Sequence, residues 1–124
     1  MTPHTTSVTL ELLTRKSKSK FDSADRDLYS GLIRLHVLHH AVKEPVFGLG
    51  MAEELARHGY PISAGTLYPL LYGLEKKGYL KASTERNGKS LRKVYRATAV
   101  GRKALRAAKD KVQELFHELF EEDE

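Results

Sequence analysis

Three short amphipathic helical segments, a hairpin signalled by Asn87-Gly88, and a terminal helix with apolar residues spaced alternately three and four apart predict a mainly α fold with a small β-hairpin. In that order the elements make a winged helix-turn-helix with a long C-terminal helix appended, although many small α+β domains share the same parts. The length of 124 residues makes one domain the default, and 40% apolar residues suffice for a modest core. Residues 1–22 read as a basic, loosely ordered arm, 23–98 as the winged helix-turn-helix, and 99–124 as a dimerisation helix with an acidic tail.

Each element has a local signal. Asp22 or Ser23 caps a first helix from about Ala24 to Lys43, with Leu28, Leu32, Leu35 and Val42 on one face and Ile33 and Val37 on a second apolar side. "EPVFG" breaks it, because the residue before Pro45 is biased out of the helical region. "LGMAEELARHG" forms a second helix that stops at Gly59, and "YPI" turns into a third that begins at Ser63 and ends near Lys77. "YLKASTE" and "LRKVYRAT" are strand-like runs around "RNGKS". Thr98 caps the last helix, where Leu105, Ala108, Val112, Leu115 and Leu119 form a heptad seam flanked by Phe116 and Phe120.

Composition excludes several classes. There is no cysteine, so disulfides and thiolate metal sites are ruled out. No apolar run approaches a membrane span and the N-terminus lacks the pattern of a secretory signal, so a cytoplasmic location is expected. No glycine-rich phosphate loop, nucleophile motif or paired carboxylates point to an enzyme, and no cofactor is expected. The net charge of +5 hides a polarised chain: residues 81–111 carry eleven Lys/Arg against two acids, and residues 112–124 carry six acids and no base. Clustered bases attract polyanions whatever the net charge, although a charge run is also what an ordinary solvated face looks like.

The third helix carries the most information. Leu67, Leu70, Leu71 and Leu74, at i, i+3, i+4 and i+7, form one inward stripe. The outward side is then Gly65, Tyr68, Pro69, Tyr72, Gly73 and Lys76, with Thr66 at its edge. Glycine costs a helix about 1 kcal/mol and interior proline about 3 kcal/mol, so a merely solvated face would not favour these residues. Small residues let a helix lie close to another surface, and tyrosine hydroxyls and free N-terminal amides donate well to phosphate. Pro69 is expected to bend the first turn and a half. The alternative is an irregular first turn with tyrosines packed on a neighbour.

Arg86, Lys89, Arg92, Lys93 and Arg96 crowd the hairpin, which suits a phosphate backbone or minor groove, or simply an edge hairpin kept soluble. The terminal seam is too large for so small a domain to cover, which points to a partner helix; the alternative is that it folds back. In "LHVLHHA", His36 and His40 have the i, i+4 spacing that lets two imidazoles share a metal, with His39 on the apolar arc. No further ligand follows from spacing, so the histidines read as partly buried and satisfied and no metal is assigned; the alternatives are a histidine-bound metal or an acid-sensing role. With Leu32 the histidines border the place where an effector pocket would form in a dimer.

"ISAGTLYPLLYGLEKKGYL" followed by "RKVYRATAVGRKAL" resembles the PadR family of transcriptional regulators, whose pattern is a Gly-Thr-Leu-Tyr-Pro helix, a Leu-Glu-x-x-Gly-Leu end, a wing and Tyr-x-Leu-Thr-x-x-Gly. The likeness spans about residues 28–120 and departs where Ala97 replaces Leu and Ala99-Val100 replaces Pro-Glu. It also lacks the tryptophan of some relatives' ligand pores. The resemblance implies a winged-helix homodimer of the smaller subgroup, binding double-stranded DNA at a pseudo-palindromic operator, usually as a repressor released by a small-molecule effector. By position, Ser63, Thr66, Tyr68 and Pro69 match the DNA-facing start of the recognition helix and residues 86–93 its basic wing; together with the outward face read above, the expected DNA-facing residues are Ser63, Ala64, Gly65, Thr66, Tyr68, Pro69 and Tyr72, with Arg86, Lys89, Arg92 and Lys93 of the wing. Dimerisation falls to Leu105, Ala108, Val112, Leu115, Phe116, Leu119 and Phe120, and the effector pocket to Leu32, His36, His39 and His40. The competing reading is a winged-helix interaction module that pairs without binding DNA.

Overall fold

The computed structural model describes residues 23–121, so the expected arm at 1–22 and residues 122–124 of the acidic tail lie outside the described residues. The elements are α1 (Ser23–Lys43), β1 (Val46–Phe47), α2 (Gly48–Arg57), α3 (Ala64–Lys76), β2 (Leu80–Asn87), β3 (Ser90–Ala97) and α4 (Ala99–Glu121). The architecture is mainly helical, as expected, but the sheet has three strands in the order β1-β3-β2. β1, hidden in the segment read only as a helix break, pairs antiparallel with β3 through Val46↔Tyr95 and Phe47↔Val94. Two residues are too few to show the alternation that marks a strand in sequence.

The core collects where α1, α2, α3 and the sheet meet. Val37, Leu55, Leu67 and Leu71 have no exposed surface, and fully burying a side chain of this size is worth about 1.5–3 kcal/mol. On α1 the inward face is Ile33, Val37, Leu38 and Ala41, whereas Leu28 is 73% and Leu32 43% exposed. Of the expected face, Leu28 and Leu32 are thus exposed, whereas Leu35 and Val42 are half-buried against the core. Apolar residues surround this helix on two sides, and periodicity alone does not rank the two.

The hairpin also shifts by one residue from expectation. Asn87 pairs with Ser90, which leaves Gly88-Lys89 as the two-residue turn. Gly88 takes a φ of 68°, as the first central residue of a primed hairpin turn requires.

α4 is tied to the body at its start. The Gly101 amide donates to Thr98 Oγ1 at 2.9 Å, the Thr98 hydroxyl donates to the Gly78 carbonyl at 2.5 Å, and the Thr98 amide donates to the Tyr79 carbonyl at 3.0 Å. A Cβ on Gly101 would sit 2.2 Å from that same Tyr79 oxygen. The helix therefore begins at Ala99 despite the Ala-Val pair before Gly101, because the threonine cap and this close approach set the start.

Candidate nucleic-acid interface

Ser63 caps α3 in extended geometry, and its Oγ accepts from the Thr66 amide at 3.3 Å. Leu67, Leu70, Leu71 and Leu74 are all buried, as the spacing predicts. Rotation about the helix axis then turns Tyr68, Pro69 and Tyr72 outward, with Tyr68 45% and Tyr72 58% exposed. Ser63, Ala64 and Gly65 are exposed and Thr66 is half-buried at the edge. The helix continues through Pro69, which lacks the amide that would bond Gly65. Tyr68 is positioned by a neighbour: its ring end lies against Gly48, where a Cβ would be 2.2 Å from the hydroxyl oxygen. Lys76 places its Nζ 6.0 Å from the Tyr72 ring centre, adding a cation to the same outer face.

β2 packs beside α3, and the wing divides its bases by occupation. Arg96 is held by Glu85 at 2.6 Å and donates to Ser83 Oγ at 3.1 Å. Arg92 is half-buried, its guanidinium 4.0 Å from the Phe47 ring centre and its Nε buried without a hydrogen-bond acceptor. Arg86, Lys89 and Lys93 are exposed. Of the four wing bases expected to face DNA, the structure packs Arg92 against β1 and leaves the other three open to solvent.

The sequence gives no sign of a further pair of bases near the start of α3. A cleft of about 330 Å³ is lined by Arg26, Ser30 and Arg34 of α1 together with Thr66, Pro69 and Leu70 of α3. Arg34 donates to the Ser30 carbonyl at 3.2 Å, which holds it along its own helix. No spacing rule connects α1 with α3; only the packing does.

A family model described as the transcriptional regulator PadR-like family matches residues 37–107, from the middle of α1 through the wing into α4. The chain belongs to this family of transcriptional regulators. It is 43% identical over 94 residues to the transcriptional regulator Rv3488 of Mycobacterium tuberculosis, a match covering 76% of this chain and 88% of that protein. The crystal structure of a PadR family transcriptional regulator from Eggerthella lenta agrees at a TM-score of 0.69 and 34% identity, over 82% of this chain and 90% of that one. A PadR-like transcriptional regulator (BC4206) from Bacillus cereus has the same TM-score at 23% identity, over 75% and 92% of the two chains, a likeness of fold alone.

In this PadR-like chain the terminal seam divides. Leu105 is buried in the core and Ala108 is half-buried, whereas Val112, Leu115, Phe116, Leu119 and Phe120 are 42–58% exposed. Phe116 and Phe120 lie side by side along the helix with ring centres 4.8 Å apart and planes tilted by 46°. Between α1 and α4 runs an open groove of about 550 Å³, lined by Leu32, Leu35, His36, His39, Leu105, Ala108, Val112 and Phe116, with Lys109 and Gln113 at its polar edge.

The expected pocket residues do not all share this groove. Leu32, His36 and His39 line it, but His40 turns toward α2 and borders a separate cleft of about 250 Å³ with Glu44, Glu54 and Arg57. Glu54 organises that side: its carboxylate accepts from Arg57, lies 3.0 Å from His58 Nε2 and 3.4 Å from His40 Nε2. The Arg57 hydrogen bond, then that from His58, holds the Glu54 carboxyl below its ordinary range. His36 stacks on His58 with ring centres 4.8 Å apart. Burial, then the neighbouring His58, lowers the pKa of His36, and burial followed by His40 lowers that of His39. His58 and Glu54 escape a reading by sequence, although their own i, i+4 spacing on α2 is a signal.

Proposed function

We propose that this PadR-like regulator is a homodimeric DNA-binding repressor released by a small molecule that enters the groove between α1 and α4. One observation carries the reading: the helix whose leucines are buried exposes Tyr68, Pro69 and Tyr72 beside a basic hairpin. Phosphates are met by Arg86, Lys89 and Lys93 and by the exposed start of α3, while Thr66, Tyr68 and Tyr72 supply what base reading there is. Five uncovered apolar side chains on α4 supply the dimer seam. A twofold pair then presents two α3 helices about 34 Å apart, one turn of duplex. No helix among the described residues is long and apolar enough to cross a membrane, which agrees with a cytoplasmic regulator.

The test is binding to a duplex from upstream of the protein's own gene, followed by fluorescence anisotropy as salt rises. Contacts to several phosphates make affinity fall steeply with salt, whereas an interaction module without a DNA partner shows no such binding. Tyr68→Phe weakens binding and leaves the unfolding transition in place. A flat salt response, or a variant that unfolds, overturns the assignment of this face.

A further inference from the structure

We propose that His36 and His40 of α1, His58 at the end of α2 and Glu54 of α2 form a site for one divalent transition-metal ion, with zinc the ion that the donors suit best. The observation behind it is convergence across two helices. One ligating nitrogen from each of the three imidazoles lies within 4.8 Å of the others, and Glu54 Oε2 lies 3.0 Å from His58 Nε2 and 3.4 Å from His40 Nε2.

Tetrahedral zinc holds its ligands at about 2.0–2.1 Å, so neighbouring ligand atoms are roughly 3.3 Å apart. Both carboxylate–imidazole separations already fall near that edge. The three imidazole nitrogens, within 4.8 Å of one another, have to draw closer, and His58, exposed at the C-cap and held by Glu54 and the His36 ring, is the one with solvent on its open side. Three imidazoles and one carboxylate are the donors of a borderline-soft ion; magnesium and calcium prefer all-oxygen shells.

Metal binding requires unprotonated ligand nitrogens and an ionised carboxylate, so loading releases protons and weakens as pH falls. An Nε2 proton that points at Glu54 moves to Nδ1 or leaves to solvent as the metal takes its place. Arg57, on the other carboxylate oxygen, keeps that anion in position while opposing the incoming charge.

The site would staple α1 to α2 five residues before the Ser63 cap of α3, and His36 also lines the groove against α4. An ion there thus lies between the helix that borders the dimer groove and the turn that leads into the outward tyrosine face. The site does not depend on DNA being the partner.

The experiment uses the full chain without any affinity tag, stripped with chelator and titrated with Zn2+ against a chromophoric competitor. One equivalent per chain is expected, with at least a tenfold loss of affinity in His58→Ala and none in His117→Ala on α4. Co2+ in the same protein is expected to give the intense visible bands of tetrahedral coordination, lost in His58→Ala. Absence of a one-to-one complex, or a His58→Ala variant that binds as tightly as the parent, overturns the site. A weak octahedral Co2+ spectrum in the parent overturns it as well, even where a variant fails to fold.

Discussion

The wing offers a quantitative test because its bases are not equivalent. Arg96 is engaged by Glu85 and Ser83, and Arg92 is stacked on Phe47, which leaves Arg86, Lys89 and Lys93 for phosphate. Replacing those three with Gln removes three cations per chain, or six in a dimer. Each neutralised phosphate adds about 0.9 to the slope of log affinity against log salt, so the slope flattens by about 5. Over roughly 50 to 200 mM salt the loss of affinity then shrinks by about 10³-fold. Fluorescence anisotropy with a labelled duplex, repeated across the salt range, reads this directly, with sedimentation confirming an intact dimer. Arg96→Gln serves as the internal comparison, since a half-exposed ion pair is worth about 0.2–1 kcal/mol and its cation is already compensated. A triple variant with an unchanged slope, or an Arg96→Gln slope change equal to that of the triple, refutes the division.

Three further variants probe other parts of the molecule. Gly48→Ala pushes the end of the Tyr68 ring away; because that ring is half-exposed it swings out, so the urea midpoint should move by under about 1 kcal/mol while DNA affinity drops as in Tyr68→Ala. Gly101→Ala drives a methyl toward the Tyr79 carbonyl, a backbone atom with nowhere to go, and is expected to cost about 1–3 kcal/mol in the same denaturation assay. Leu115→Glu together with Phe116→Glu places charge on side chains 49% and 54% exposed in the single chain, so helical circular dichroism should be unchanged while sedimentation velocity shows monomer.

The legible parts of this sequence are those set by local periodicity and caps. The leucines of α3, the Ser63 and Thr98 caps and the run of α4 each follow from spacings within one helix. Legibility fails where two signals compete or where distant segments meet. On α1 the spacing singles out Leu28, Leu32, Leu35 and Val42, yet Ile33, Val37, Leu38 and Ala41 fill the core, while Leu32 and Leu35 border the groove and Leu28 is exposed. β1 is specified by pairing with Tyr95 and Val94, contacts that no short window contains. The same holds for the company of Arg26 and Arg34 beside Thr66, and of His58 beside His36.

These separate features share one element. α1, 21 residues and roughly 31 Å long at 1.5 Å per residue, borders the cleft at the start of α3 with Arg26, Ser30 and Arg34, and the groove of α4 with Leu32, Leu35 and His39. A ligand that fills the groove therefore acts on DNA only to the extent that it favours one placement of α1 over another, since equal affinity for both placements shifts nothing. Linkage then fixes a reciprocal cost. If an effector weakens duplex binding tenfold, saturating duplex must weaken effector binding tenfold, a coupling of about 1.4 kcal/mol read identically from either side. Competition at the outward face of α3 obeys the same reciprocity but has no limit: effector and duplex then never bind together and the weakening grows with every increase in effector, whereas coupling through α1 levels off at a fixed factor with a ternary complex formed.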